Sequence, residues 1–211
     1  MRHPIAIFIL FLISAAPADD APVYSDDFSK TAPGKPSENE FLVLAGNFSV
    51  KDVDGDRVLE LAGLPLDSLG TLFGPAGDSP TGRVSARIWA ATTGRRFPEF
   101  GVGLNDAGGY KLWLMPRQKL VVIRKGDEDV ASAPYVSWDT ETWTRFRLQV
   151  VKAGDDAWTV RGKVWPDGAD EPKDWTVSFN EKEAPSAGRA SLWANPYSGQ
   201  PTRFDDLRVD R

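Results

Sequence analysis

The side chains that most familiar catalytic sites require are almost absent from this chain. Its 211 residues include no cysteine and one histidine, His3. Ser-His-Asp and Cys-His nucleophile systems, zinc sites built on His or Cys, and a histidine general base therefore have no candidate residues beyond position 3. The remaining carboxylates, lysines and eight tryptophans favour carbohydrate recognition or hydrolysis by paired carboxylates.

Three tryptophans are predicted to lie on polar faces of β-strands. Successive side chains of a strand point to opposite faces of the sheet. This alternation turns Trp89, Trp113 and Trp193 away from the apolar side chains of their own strands. The polar residues on these outward faces are Arg87, Glu99, Lys111 and Asn195. These seven residues are the predicted ligand-binding set.

The chemistry of this set suits a sugar. A pyranose presents an apolar C–H face to an indole, while its hydroxyls need a few fixed donors and acceptors. Gly101 and Gly103 would keep the surface open and let a ligand approach the backbone. The alternative is that loops, the N-terminal segment or stacked arginines cover the three indoles, which then serve packing alone.

Glu99 is the one carboxylate that the alternation places on the open face of a central strand. Glycoside hydrolysis needs a second carboxylate across a cleft. Asp106 or Asp206 could approach Glu99 through folding, but no motif places them there. We therefore predict no catalytic residue and keep Glu99 as the alternative.

A basic pair, Arg95 and Arg96, follows Gly94 between two predicted strands. An exposed turn accounts for such a pair, because surface positions usually carry charged residues. An acidic sugar or the carboxylates of a partner protein would also suit it.

Two aspartate pairs are candidates for a structural calcium site, the only cofactor that the sequence suggests. Calcium binds oxygen ligands in secreted domains. The pairs would meet if the first and last strands were neighbours, and the alternative is that they cap strand ends or pair with arginines. The candidates are Asp26, Asp27, Asp205 and Asp206.

These residues must be positioned by β-strands, because the chain repeats short runs of alternating apolar and polar residues. Gly, Asp, Asn or Pro interrupts the runs every eight to twelve residues. This pattern predicts an all-β fold, an antiparallel β-sandwich of the jelly-roll type. The predicted strands are 23–28, 41–44, 47–53, 57–62, 70–73, 83–91, 98–105, 110–117, 119–125, 130–133, 143–151, 158–165, 175–179, 189–195 and 203–209.

The strand and turn motifs resemble the concanavalin A-like lectin/glucanase superfamily, especially its laminin G-like branch. The segment 100–124 carries the resemblance most clearly, and it continues through 143–150, 162–165, 188–193 and 204–209. The resemblance implies a concanavalin A-like sandwich, and the superfamily includes lectins, adhesion modules and glycosidases. The Glu-x-Asp-x-x-Glu or Glu-x-Asp-x-Glu motif of its laminarinase-type glucanases does not occur in this sequence.

The N-terminus predicts export. Residues 1–18 have a basic start, an apolar run over 5–13 and a small-x-small sequence at 16–18, which is typical of a cleaved signal peptide. We expect one β-sandwich domain over 19–211, secreted or periplasmic. Loss of Arg2 leaves 24 basic against 30 acidic residues, a net charge of −6. That balance gives no reason to expect a nucleic acid or a membrane surface as a partner.

The sequence thus predicts a secreted, non-catalytic, lectin-like domain that binds a glycan or polysaccharide. A glycoside hydrolase that uses carboxylates is the first alternative. The second is a structural or adhesion module that contacts another protein.

Overall fold

The computed structural model of the protein describes residues 21–63, 68–136 and 138–211, which form fifteen β-strands and no helix. The predicted signal peptide, residues 1–18, lies outside them. Among the described residues, no helix is long and apolar enough to cross a membrane. The strands are β1 (Tyr24–Asp26), β2 (Phe41–Ala45), β3 (Phe48–Val53), β4 (Asp56–Leu61), β5 (Leu69–Phe73), β6 (Gly82–Ala90), β7 (Glu99–Leu104), β8 (Tyr110–Met115), β9 (Leu120–Lys125), β10 (Glu128–Pro134), β11 (Thr142–Gly154), β12 (Ala157–Pro166), β13 (Val177–Glu181), β14 (Ala190–Asn195) and β15 (Thr202–Asp210).

The strands form two antiparallel sheets. The first sheet has the order β13-β12-β11-β6-β15-β4-β3, with β1 paired to β15. The second sheet has the order β10-β9-β8-β7-β14-β5-β2. The prediction of an all-β antiparallel sandwich is confirmed, and each predicted strand overlaps one observed strand.

The core lies between the two sheets and follows from alternation along the strands. In β6, Val84, Ala86, Ile88 and Ala90 are buried, while the residues that alternate with them are half-exposed. Phe100 of the second sheet contacts Phe146 of the first, with ring centroids 5.7 Å apart in an edge-on arrangement. Burial of side chains of this size is the main favourable term in folding.

One glycine shows how closely the sheets approach. Gly162, on β12 of the first sheet, faces Leu112 of the second. A Cβ at Gly162 would lie 2.4 Å from a Leu112 methyl carbon. A larger residue at position 162 would therefore force the Leu112 side chain or its surroundings to shift.

A buried carboxylate joins the edges of the two sheets. Glu181 is 5% exposed and ends β13. It accepts a hydrogen bond from the Tyr110 hydroxyl at 2.6 Å and pairs with Lys125 Nζ at 2.8 Å. Burial opposes the charged form, but the bonds from Lys125, Tyr110 and two backbone amides outweigh it. They lower the pKa of Glu181 to about 2.

Replacing Glu181 with Gln should destabilise the protein in a pH-dependent manner. Because the folded pKa lies below the unfolded value, the ionised group contributes stability above about pH 4.5, and this contribution is lost as the pH falls toward 2. Urea unfolding should give a destabilisation by E181Q that is about 2 kcal/mol smaller at pH 3 than at pH 7. E183Q is the matched control, since the Glu183 side chain is 83% exposed. An equal effect of E181Q at both pH values would contradict this account.

Candidate functional site

The structure places the seven predicted ligand-binding residues on two opposite faces of the sandwich. Trp89 and Arg87 lie on β6, on the outer face of the first sheet. The other five lie on β7, β8 and β14 of the second sheet. The structure therefore does not bring Trp89 and Arg87 together with the rest, which corrects that part of the prediction. Alternation shows which side of its own strand a residue occupies, but not to which sheet the strand belongs.

The two tryptophans of the second sheet are buried although they point outward. Trp113 is 2% exposed and Trp193 is 8% exposed. The indole of Trp193 lies against Gly70, where a Cβ would be 2.6 Å from the ring, and its Nε1 donates to Ser191 Oγ at 2.8 Å. Met115 and Val122 surround Trp113 in the same small apolar cluster.

Cationic side chains cover both indoles. Lys111 Nζ lies 4.2 Å from the Trp193 ring centroid, and Arg124 Cζ lies 5.2 Å from the Trp113 ring centroid. Lys111 also donates to the carbonyl of Gly126 at 3.0 Å, which ties it to the β9–β10 turn. Trp113, Trp193 and Lys111 therefore act in packing, as the alternative allowed, and they do not offer open stacking surfaces.

Trp89 and Arg87 belong to a charged network on the first sheet. Trp89 lies beneath Arg203, whose Cζ is 4.4 Å from the ring centroid. Arg87 stacks on Trp143 at 4.5 Å and pairs with Asp205 and with other carboxylates. Asp205 is almost fully buried, and this burial raises its pKa to about 6 despite the guanidinium beside it. These contacts explain the outward position of Trp89 and Arg87 without a ligand.

The calcium candidates have protein partners. Strands β1 and β15 do pair, with Asp26 opposite Leu207. However, Asp26 accepts the backbone N–H of Phe28, Asp27 accepts that of Ser29, and the other two aspartates pair with arginines. No group of three or more His, Cys, Asp or Glu that could hold a metal ion occurs among the described residues. The structure thus gives no support to a calcium site at Asp26, Asp27, Asp205 and Asp206.

The remaining predicted residues, Glu99 and Asn195, lie side by side at one end of the second sheet. They are directly opposite each other in the β7–β14 register. Asn195 Nδ2 donates to Glu99 Oε2 at 3.1 Å, and Ser68 Oγ donates to Asn195 Oδ1 at 2.7 Å. Gln118 Nε2 donates to Glu99 Oε1 at 3.3 Å. The Glu99 carboxylate is therefore held in a fixed orientation.

Glu99 lines an open pocket of about 500 Å³, which we call the arginine pocket. Its volume falls in the ordinary range for small-molecule sites. The lining residues are Arg95, Arg96, Phe97, Glu99, Arg117, Gln118 and Tyr197.

The first pocket loop is the connection between β6 and β7, which contains a tight turn. Thr93 and Arg96 exchange two backbone hydrogen bonds of 3.0 and 3.1 Å. Gly94 has φ +60°, as a two-residue turn with glycine at its first central position requires. This turn fixes the backbone that carries Arg95 and Arg96.

The other two pocket loops are also closed by backbone hydrogen bonds. In the β8–β9 connection, the N–H of Gln118 donates to the carbonyl of Met115 at 3.1 Å, which sets the position of Arg117. In the β14–β15 connection, the N–H of Tyr197 donates to the carbonyl of Asn195 at 2.8 Å. Turns of this kind preorganise the pocket before any ligand arrives.

The pocket has an excess of positive charge. The side chains of Arg95, Arg96 and Arg117 are exposed. None forms an ion pair with a carboxylate in the part of the chain that the structure describes. Glu99 is the only carboxylate among the described lining residues. Three guanidiniums and one carboxylate give the lining a net charge of +2.

Neither carboxylate that the sequence suggests as a partner for Glu99 in glycoside hydrolysis lies close to it. Asp106 follows the far end of β7, roughly 20 Å along the strand from Glu99. Asp206 lies on the first sheet and pairs with Arg145 at 2.9 Å. Retaining and inverting enzymes need carboxyl groups within about 5–10 Å of each other. Neither predicted partner meets this requirement.

Sequence analysis identified part of this pocket and missed the rest. It flagged Arg95 and Arg96 as a basic turn and grouped Glu99 with Asn195. It gave no role to Phe97, Gln118 and Tyr197, which lie on three different connections. Their only common sequence feature is a position within three residues of a strand end.

The comparisons with known proteins concern the fold. The chain matches no protein-family profile and no curated protein sequence. It is similar in structure to the carbohydrate-binding module CBM66 from Bacillus subtilis, with TM-score 0.54, 12% identity, and coverage of 82% of this chain and 96% of that one. It is also similar to the Emp47p carbohydrate recognition domain, with TM-score 0.59, 12% identity, and coverage of 90% of this chain and 96% of that one. A third similar structure is a xylan β-1,4-xylosidase from Bacillus halodurans, with TM-score 0.60, 16% identity, and coverage of 93% of this chain and 40% of that one.

Replacing Trp113 with Ala should destabilise the protein, because it removes a buried indole. We expect the free energy of unfolding to fall by about 3–5 kcal/mol. W113F should cost less than W113A, because it keeps an aromatic ring in the cluster and because the indole Nε1 that it removes has no hydrogen-bond partner among the described residues. Urea unfolding of both variants measures the difference. Wild-type stability of W113A would show instead that the indole is free to serve a ligand.

Proposed function

We propose that this protein is a secreted, non-catalytic domain that binds a glycan in the arginine pocket. The observation that carries the proposal is the composition of that pocket. Phe97 and Tyr197 bring aromatic rings to the same opening as the fixed Glu99 carboxylate and the Gln118 amide. An apolar surface with a few oriented polar groups is what sugar recognition requires.

Each lining group has a counterpart in sugar chemistry. An aromatic ring can cover the C–H face of a pyranose. The carboxylate of Glu99 has lone pairs that remain free for sugar hydroxyls after it accepts bonds from Asn195 and Gln118. Guanidinium groups donate to hydroxyls or to anionic substituents in a fixed fork geometry.

The fold supports the same proposal. CBM66 is a carbohydrate-binding module and the matched part of Emp47p is a carbohydrate recognition domain, and the similarity covers 96% of each of those chains. A fold hosts many functions, so this likeness adds weight only beside the pocket. Membership of the laminin G-like branch stays a prediction from the sequence.

The non-catalytic part of the proposal rests on Glu99 standing alone. Hydrolysis needs a second carboxylate at a set distance, and the described lining of the pocket has none. Secretion rests on the predicted signal peptide over residues 1–18. Extracellular glycans would then be the accessible ligands.

Binding can be tested with residues 19–211 on a glycan array and in pull-downs with xylan, mannan, β-1,3-glucan, polygalacturonate and alginate. We expect binding to at least one glycan and no released sugar. On the bound glycan, E99Q should weaken affinity about tenfold or more, because hydrogen bonds to a charged group are the stronger ones. Calorimetric titration measures the change.

E38Q is the matched control for E99Q, since Glu38 is exposed on the segment between β1 and β2. It removes the same charge and should leave affinity unchanged. Failure of the wild-type protein to bind any glycan would overturn the proposed function. Release of sugar products would overturn its non-catalytic part.

A further inference from the structure

We infer that the glycan bound in the arginine pocket carries an anionic group, a carboxylate or a sulfate. This inference rests on the proposed function and names the ligand class of the same site. It makes the target an acidic polysaccharide, recognised through Arg95, Arg96 and Arg117.

The pocket brings unpaired guanidiniums together at one opening. Elsewhere in the described chain, most arginines are paired with carboxylates at close range, such as Arg83 with Asp210, Arg147 with Glu171 and Arg203 with Glu60. The exceptions are Arg57, Arg161, Arg189 and Arg211. The chain has 30 acidic residues against 25 basic ones, so carboxylates are not scarce. The grouping of three guanidiniums without ion pairs in one pocket is therefore the distinctive property of the site.

Three unpaired charges at one opening favour an anion. Like charges that share a pocket repel one another, and an anionic ligand removes that repulsion. Guanidinium groups match carboxylate and sulfate oxygens through two parallel hydrogen bonds. A neutral sugar would leave the charges uncompensated.

The fold brings the three arginines to one pocket, because they do not form a continuous basic run in the sequence. Arg95 and Arg96 come from the turn in the β6–β7 connection, while Arg117 comes from the β8–β9 turn, more than twenty residues later. Both turns are closed by backbone hydrogen bonds. The backbone that carries the three arginines is thus fixed at the pocket in two separate parts of the chain.

Glu99 is consistent with an acidic sugar. Its carboxylate accepts hydrogen bonds from Asn195 at 3.1 Å and from Gln118 at 3.3 Å, which fix its orientation. Against three guanidiniums it still leaves the lining net positive. A sugar with both hydroxyls and an anionic group would place its hydroxyls near Glu99 and its charge near the arginines. This division of roles favours a glycan over a simple polyanion.

The test compares five polymers by calorimetric titration of residues 19–211 in 50 mM and 150 mM NaCl. They are neutral xylan, the uronates polygalacturonate and alginate, sulfated heparin, and polyglutamate as a polyanion without sugar. We expect an acidic glycan to bind about tenfold or more tightly than xylan and polyglutamate, with affinity falling as salt rises. Preference for the uronates or for heparin identifies the anionic group as carboxylate or sulfate.

The variant R95Q/R96Q/R117Q should lower affinity for the acidic glycan about tenfold or more. It should retain or exceed the wild-type Tm, because it removes repulsion and no described ion pair. K30Q/K51Q/K152Q is the matched control. It removes the same charge from exposed lysines away from the pocket, and affinity should stay within about twofold.

The outcomes separate the inference from the proposed function. Equal or tighter binding of neutral glycans would overturn the inference and leave glycan binding in place. Equal loss in the lysine control would overturn the role of the pocket arginines. Polyglutamate binding as tight as that of the acidic glycans would overturn sugar recognition in favour of a general anion site. No binding to any of the five polymers would overturn the inference, and the glycan array then decides whether glycan binding itself stands.

Discussion

Apolar contact between the inner faces of the two sheets is the constraint on which the rest of the structure depends. The chain has no cysteine, so burial must supply the stability that disulfides often supply in exported domains. Phe100 and Phe146 meet edge-on across the interface, and Gly162 leaves room for Leu112. The inward positions of the strands are thereby committed to packing. Binding groups must lie on the outer faces or on the connections at the ends of the sandwich.

The outer faces are largely closed by their own side chains. Tryptophans on both sheets lie under cationic groups, as Trp193 does under Lys111 and Trp89 under Arg203. Such contacts combine cation–π attraction with burial of an apolar ring under a long side chain. They cover five of the eight tryptophans, which are Trp89, Trp113, Trp143, Trp175 and Trp193. The connections at the Glu99 end of the second sheet are then the best-placed part of the surface for ligand chemistry.

The fold could be predicted from the sequence far better than the site. Strand positions are local information, because alternation and turn residues lie within about ten residues of each other. Glu99 and Asn195 were grouped correctly because each lies on the outward side of its own strand, and the structure joins them by a hydrogen bond. Trp89 was grouped wrongly because β6 pairs with β11 and β15, strands that lie far from it in sequence. Long-range pairing of this kind leaves no local pattern.

The arginine pocket combines hydrogen-bonded turns, which stabilise the folded protein, with a net positive charge, which destabilises it. Three guanidiniums at one opening raise the energy of the free protein through repulsion, whereas most arginines of the first sheet lie beside a carboxylate. The Thr93–Arg96 turn, with Gly94 in the left-handed region, fixes the backbone that carries Arg95 and Arg96. A fixed backbone limits the entropy lost when a ligand arrives, and the repulsion relieved on binding contributes to affinity. The repulsion that lowers the stability of the free protein would therefore be relieved when an anion binds.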